Sequence, residues 1–379
     1  MPTTVHADRR NRAAQSLVNR APDGLKKEGP NKAGPEKRPD LDCLFVTGLE
    51  NVRWLSGFTG SNAAMLLFAD GRAIFYTDPR YTVQAKRQVD CKIKIAKNQI
   101  VPATMADLDR SGLKLLGIEK DHLTVGELEA LNQKLPTRAT VEPVAGHIEK
   151  LRMVKDEGEI ALIRQSVDLN SQAFDAALKR LKPGMTEAEF AAEIDYRSRK
   201  LGAERPAFDT IVAAGERSEL PHAQPCAAKI DPGILLVDMG AFRDGYASDM
   251  TRMVHVGKAT ARYKQAYKAV LEAQLAAIDA VGPGATSLGV DRVTRRVLKA
   301  HNLDKEFIHS TGHGLGLEIH EGPRIGRRDK TKLTAGMVIT IEPGIYIEGW
   351  GGIRIEDTVL VTKTGCEVLT PTSKDLREL

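Results

Sequence analysis

Cysteine is scarce. The four thiols, Cys43, Cys91, Cys226 and Cys366, stand far apart, and none forms a Cys-x-x-Cys pair. That excludes a disulfide scaffold and a thiolate zinc site, and it suits a reducing compartment. Long apolar runs are missing too. No stretch reaches the length needed to span a bilayer, and the opening MPTTVHADRRNRAAQ lacks the apolar core of a secretory leader. The expectation is a cytoplasmic protein with no membrane partner. Aromatic residues make up only 5% of the chain, and none interleaves with the basic residues near the N-terminus. Stacking on bases is therefore not expected, and nucleic acid is not an expected partner.

The formal charge of +5 is unevenly placed. Residues 1–40 hold nine Lys/Arg against five Asp/Glu, and APDGLKKEGPNKAGPEKRPD is rich in Pro, Gly and Lys. Residues 1–40 are expected to be a flexible basic arm. With 379 residues, 42% of them hydrophobic, the remainder can bury the cores of two domains. After the arm, DCLFVTG, the pair around the Asp-Gly turn in LLFADGRAIFYTD, KIKIAKN and LKLLGIEK read as strands. DHLTVGELEALNQKL reads as an amphipathic helix, giving an α/β first domain. Beyond about residue 150, helices alternate with antiparallel hairpins instead of forming βαβ units, which points to an α+β domain. Thr186 and Glu189 make a capping box for EAEFAAEIDYRSRKLG.

Three segments of the second domain carry the chemistry: LLVDMGAFRDGYASDMTR, HSTGHGLGLEIHEGP and ITIEPGIYIEGWGGIRIED. In the first, a turn centred on Arg243 and Asp244 sets Asp238 opposite Asp249, with Cβ atoms roughly 5 Å apart. In the third, Glu342 and Glu356 are symmetric about EGWGG. Buried like charges at such separations are unfavourable unless a cation lies between them. Two carboxylate pairs and the imidazole of His313 suit two divalent metals about 3.5–4 Å apart. The acids sit in apolar strand contexts, where an unpaired carboxylate is expensive. The glycines around His313 lack both the GxxxxGK[ST] pattern and the strand–glycine–helix context of a dinucleotide site. His320, seven residues after His313 and flanked by Glu318 and Glu321, is placed to hydrogen-bond a tetrahedral intermediate or a bound carbonyl. Arg354 shares strand parity with Glu356 and should face the same cleft, or make a cross-strand salt bridge.

These motifs resemble those of the pita-bread metallopeptidases, and among them the branch of Xaa-Pro aminopeptidases and Xaa-Pro dipeptidases (prolidases) with a creatinase-like N-terminal domain. The similarity runs from about Asp42 to Thr370, through NVRWLSGFTGSNAAMLLF, YTDPRYTVQA, FDTIVAAG, LPHA, LLVDMGA, ASDMTR, HSTGHGLGLEIHEGP, MVITIEPGIYI and GGIRIEDTVLV. It implies a creatinase-like α/β domain over 41–150 followed by an α+β pita-bread catalytic domain over 151–379. It also implies two divalent cations, manganese first, with zinc, cobalt or iron as substitutes. Asp249 and Glu356 would contact both ions, Asp238 one, and His313 and Glu342 the other.

The resemblance further implies that Glu342 handles protons and that His222, in LPHA, is a proton donor or oxyanion partner. Arg354 would organise the acidic network or bind substrate, and Arg324 would engage a short peptide's carboxylate. A homodimer acting on proline-containing peptides is expected. A creatinase-like amidinohydrolase would not need five metal ligands, a methionine aminopeptidase usually lacks the upstream domain, and a non-catalytic relative would have lost ligands. The sequence favours an aminopeptidase cleaving the N-terminal Xaa-Pro bond of peptides, with a dipeptidase restricted to Xaa-Pro as the alternative. Trp54 and Phe58 are expected in the first domain's core, Tyr346 at the proline pocket, and Trp350 at the surface or an interface.

Overall fold

The computed structural model describes residues 4–18, 20 and 39–379. The chain divides into two compact units, Met1–Leu151 and Arg152–Leu379. In the first, strands β1 (Cys43–Val46), β2 (Ala63–Phe68), β3 (Ala73–Thr77), β4 (Lys92–Ile95), β5 (Leu115–Glu119) and β6 (Thr140–Val144) form one sheet. Their order is β4-β3-β2-β1-β5-β6. The β1–β2 and β2–β3 pairs are antiparallel and the others parallel. Every residue of β1 and β2 is buried, as expected of strands covered on both faces. Helix Val125–Lys134 starts at a capping box between Thr124 and Glu127, and Leu131 on its inner face joins the core. Trp54 and Phe58 are fully buried here, as expected.

The basic arm needs correction. Val5–Gln15 is a helix, capped by Thr4 Oγ1, which accepts from Ala7 N–H. Two of its three arginines, Arg9 and Arg10, are buried. Arg10 pairs with Asp90 at 2.6 Å and donates to Leu55 O, while Arg9 and Arg12 lie over the Trp54 ring. A charge count on the sequence cannot see these partners. The stretch 21–38, where mobility was expected, lies outside the described residues.

The second unit holds strands β7 (Arg205–Pro206), β8 (Ile211–Ala214), β9 (Gly233–Met239), β10 (Ala241–Arg243), β11 (Tyr246–Ala247), β12 (Met250–Val256) and β13 (Gly312–Gly314). It continues with β14 (Glu321–Ile325), β15 (Val338–Ile341), β16 (Gly344–Ile347), β17 (Gly351–Arg354), β18 (Asp357–Val361), β19 (Cys366–Val368) and β20 (Arg377–Glu378). Two main sheets run β20-β12-β9-β8 and β14-β13-β15-β18-β19, with β16-β17 and β11-β10-β7 beside them. Alternation along β9 divides the core. Leu235, Val237 and Met239 pack with Phe174 and Phe190 of helices Glu157–Leu178 and Glu187–Lys200. Ile234 and Leu236 pack on the other face with Tyr263 and Val270 of helix Ala261–Asp279. Asp238 therefore ends the second of these faces. The Thr186–Glu189 capping box forms as expected. Trp350 is half-buried against Tyr263, with Arg262 over its ring, and so is not a free surface residue. No helix among the described residues is long and apolar enough to cross a membrane.

Candidate metal centre

The first acidic hairpin turns on Asp244-Gly245, with φ of 50° and 81°. Two consecutive left-handed residues are the signature of a two-residue hairpin turn, which Asp-Gly suits and Arg-Asp does not. Pairing of Arg243 with Tyr246 and of Met239 with Met250 then puts Thr251, not Asp249, across from Asp238. The expected turn was one residue early. Moving its centre by one residue shifts the pairing by two, which preserves parity, so Asp238, Asp249 and Thr251 still share a face.

The second hairpin keeps the expected register. Ile341 pairs with Asp357 and Gly344 with Arg354, so Glu342 and Glu356 lie between these pairs and opposite each other. Pro343, lacking an N–H, interrupts the ladder there. The freed backbone donors turn outward: Glu342 N–H donates to Thr311 O at 2.8 Å, and Glu356 N–H to Thr251 O at 3.3 Å. This second bond ties the two hairpins together at the site.

His313 is held by close backbone approach. A Cβ on Gly312 would lie 2.0 Å from Thr340 O, and one on Gly314 2.1 Å from Gly322 O, so only glycine lets β13 sit between β14 and β15. The imidazole Nδ1–H donates to Gly314 O at 2.9 Å, which leaves Nε2 with its lone pair free. That atom stands 3.5 Å from Asp249 Oδ2 and 3.4 Å from Glu342 Oε1. Asp249, His313 and Glu356 each present a ligand atom within 4.8 Å of the others.

The surrounding hydrogen bonds aim the acids, and among the described residues only Asp238 meets a cation. Asp238 Oδ2 accepts from Arg354 Nη2 at 2.7 Å, Glu356 Oε2 from Thr251 Oγ1 at 2.7 Å, and Glu342 Oε1 from Thr340 Oγ1 at 3.2 Å. Asp238 Oδ1 and Glu356 Oε1 are buried with no hydrogen-bond partner. Burial and then neighbouring carboxylates push the Asp249 and Glu356 carboxyls well above their ordinary values. Burial also raises Asp238, against the pull of Arg354. Orphaned carboxylate oxygens in such a setting are costly unless a cation meets them. Hard oxygen donors with one imidazole fit a divalent ion.

All five of these residues line one cavity of about 570 Å³, together with His222, His320, Arg324 and Arg354. His222 is exposed at its edge. His320 stands edge-on to His313, ring centroids 4.4 Å apart, and desolvation followed by the proximity of His313 lowers its pKa. Arg324 is exposed, with Nε 3.3 Å from Ser310 Oγ. Arg354 is buried, and all three of its nitrogens are engaged. Nε donates to Thr251 Oγ1, Nη1 to Pro221 O and Tyr346 Oη, and Nη2 to Asp238. Of the acids it touches Asp238, and it reaches Glu356 only through Thr251.

Three residues escaped the sequence. His309 lines the same cavity, with Nε2 3.1 Å from Tyr346 Oη, and burial lowers its pKa. It lies in an irregular segment with no periodicity to place it; its only signal is its position four residues before His313. Arg152 and Lys155 are buried beneath the His320 segment. Arg152 donates to Glu318 at 2.8 Å and to Glu321, and Lys155 to Glu321 at 2.8 Å. Their distance in sequence hid them.

Residues 37–154 match the Creatinase/Prolidase N-terminal domain, and residues 161–363 match Metallopeptidase family M24. The Xaa-Pro dipeptidase of Pyrococcus horikoshii is 37% identical over 337 residues, covering 89% of this chain and 94% of its own. A solved Xaa-Pro dipeptidase from Bacillus anthracis superposes with a TM-score of 0.89 at 34% identity, over 99% of both chains. An X-Pro aminopeptidase from Thermotoga maritima gives 0.84 at 34% identity, over 89% of this chain and 98% of its own.

Proposed function

Because the chain belongs to metallopeptidase family M24, with a creatinase/prolidase-type domain preceding a pita-bread catalytic domain, we propose that it is an Xaa-Pro dipeptidase. Metal-dependent cleavage at Xaa-Pro is the broader activity. The observation that carries it is the convergence of Asp249, His313 and Glu356, with buried, unpartnered oxygens on Asp238 and Glu356. Of the two substrate ranges weighed from sequence, the dipeptide range gains support, since the Pyrococcus horikoshii and Bacillus anthracis proteins are both named Xaa-Pro dipeptidases. The exposed guanidinium of Arg324 at the cleft gives a free carboxylate its partner.

Two divalent cations, manganese first among them, would be held by Asp238, Asp249, His313, Glu342 and Glu356. Bound there, they supply Lewis acidity that polarises a carbonyl and brings the ionisation of water near neutral pH. The chain's own groups do the rest. Arg354, Thr251 and Thr340 fix the orientation of Asp238, Glu356 and Glu342. Glu342 takes up and returns a proton at its carboxylate, which the reaction requires because a proline nitrogen in a tertiary amide must be protonated to leave as the amine. His222 and His320 offer N–H donors to the scissile carbonyl oxygen as charge develops on it. Arg324 pairs with the proline carboxylate. The active form is proposed to be a homodimer, which light scattering on the eluting peak would check.

The test uses protein stripped of metal and reloaded with Mn²⁺, assayed on Ala-Pro, Ala-Pro-Ala and Ala-Ala-Ala, with Glu356→Ala as the inactive control. Fast hydrolysis of Ala-Pro with slow cleavage of Ala-Pro-Ala is expected. Equal rates at the first bond of Ala-Pro-Ala would make it an aminopeptidase, and cleavage of Ala-Ala-Ala alone would remove proline from the account.

A further inference from the structure

A second cavity, larger than the one that holds the acids, lies in the second unit. A groove of about 1240 Å³ adjoins the cleft and shares His309, Ser310 and Arg324 with it. Six cationic side chains line it against two carboxylates, Asp304 and Asp329. Two of the six are engaged elsewhere: Arg295 with Asp291, and Arg324 with Ser310. Asp329 accepts from the backbone N–H groups of Arg324 and Thr331. The remaining four, Lys305, Arg327, Arg328 and Lys330, are exposed, and among the described residues none has a carboxylate within ion-pair distance. They come from two segments separate in sequence, both of which line the groove. A solvated basic loop would need neither a concavity nor continuity with a catalytic cleft. A concave surface lined by one sign of charge focuses the field and concentrates oppositely charged ligands.

We propose that this groove extends the substrate cleft beyond the proline site and takes an acidic residue there, making Xaa-Pro-Asp and Xaa-Pro-Glu peptides a second substrate class. The inference rests on the Xaa-Pro reading above, in which Arg324 marks the leaving-group end. One more residue advances the chain by about 3.5 Å past Arg324. It delivers two carboxylates, one from the side chain and one from the new C-terminus, into the region of Arg327, Arg328, Lys305 and Lys330. A neutral third residue brings one carboxylate and a lysine adds a repelled cation. The chemistry is unchanged: the Xaa carbonyl–proline nitrogen bond breaks, water's hydroxyl joins the carbonyl carbon, its proton goes to the proline nitrogen, and Pro-Glu leaves.

The experiment compares kcat/KM for Ala-Pro, Ala-Pro-Ala, Ala-Pro-Glu and Ala-Pro-Lys on the Mn²⁺-loaded full chain, at low salt and at about 0.5 M potassium chloride, where the screening length falls to roughly 4 Å. Ala-Pro-Glu should exceed Ala-Pro-Lys by about tenfold at low salt, mostly through KM, and by about threefold or less at high salt. Arg327→Glu/Arg328→Glu should remove or invert that preference with Ala-Pro hydrolysis unchanged. Lys305→Glu, in the other lining segment, should reduce it by about threefold. The Ala-Pro rate reports folding in each variant. An equal rate on the two tripeptides, a preference insensitive to salt, or one that survives the double variant overturns the proposal while leaving the dipeptidase standing. Absence of Ala-Pro hydrolysis in the wild type overturns the dipeptidase reading, and this inference with it.

Discussion

Arg354 sits where a substrate-binding residue and a structural one would look alike in sequence. Strand parity with Glu356 aims it at the cleft in either case. Its three nitrogens meet Thr251, Tyr346, Pro221 and Asp238, which favours the structural role. A lysine cannot reproduce a planar fork that reaches several acceptors at once. Arg354→Lys should therefore release Asp238 and weaken metal binding by about 10–100-fold, with activity recovering at excess metal. Competition against a metal-sensitive dye, read beside kcat at saturating Mn²⁺, decides the matter. Unchanged metal affinity with a lost kcat would place Arg354 on the substrate instead. The five proposed ligands were legible together, because four acids in apolar strands and one imidazole recur at matching offsets, whereas any one of the acids alone would pass for an ordinary strand-end residue. Thr251 and Thr340 were not: a buried threonine is ordinary in a strand, and only its hydroxyl's partner distinguishes it.

Elements transmit such positions through their fit. Strand β13 has no room for a side chain on either side of His313, since Thr340 O and Gly322 O stand where the added Cβ atoms would go. Gly312→Ala should push β13 from β15 and carry His313 away from Asp249. The expected result is a destabilisation of about 1–3 kcal/mol by urea denaturation in chelator, as for other overpacked sites, with a loss of metal affinity. A variant that binds metal normally would show that the strand can shift without moving the imidazole. The hairpins were legible at this scale because period-two alternation survives an error of one residue in the turn centre. The buried pairing of residues 152–155 with 318–321 was not, since no local pattern announces a contact across 166 positions. That pairing has a pH signature. Burial alone would raise the Glu321 carboxyl, but Lys155 and Arg152 prevail and bring it from 4.5 to about 2. Because the folded pKa is the lower one, the stabilisation is complete above the unfolded value and is lost as pH falls from about 4.5 toward 2. Glu321→Gln should cost roughly 3–5 kcal/mol near pH 7, by removing the carboxylate from buried Lys155 and leaving Arg152 with Glu318, and should flatten the acid limb of the stability curve. A limb of unchanged slope in chemical denaturation would assign the acid sensitivity to other groups.

At the scale of the whole molecule, the two units differ in what a metal can do for them. Every proposed ligand lies in Arg152–Leu379, and four apolar clusters among the described residues each draw their buried residues from one unit. A ligand that binds the folded state alone stabilises it by about 2.7 kcal/mol at a hundred times its dissociation constant. For a domain of this size that is worth roughly 5–10 °C in melting temperature. Calorimetry on the full chain should therefore resolve two transitions, with added Mn²⁺ raising only the one that belongs to the catalytic unit. Glu356→Gln should remove the metal dependence while leaving both transitions visible in chelator, because glutamine keeps the acceptor for Thr251 and relieves the repulsion among buried acids. If both transitions rise in step with metal, the units unfold as one. The first unit would then owe part of its stability to a site that contains none of its residues.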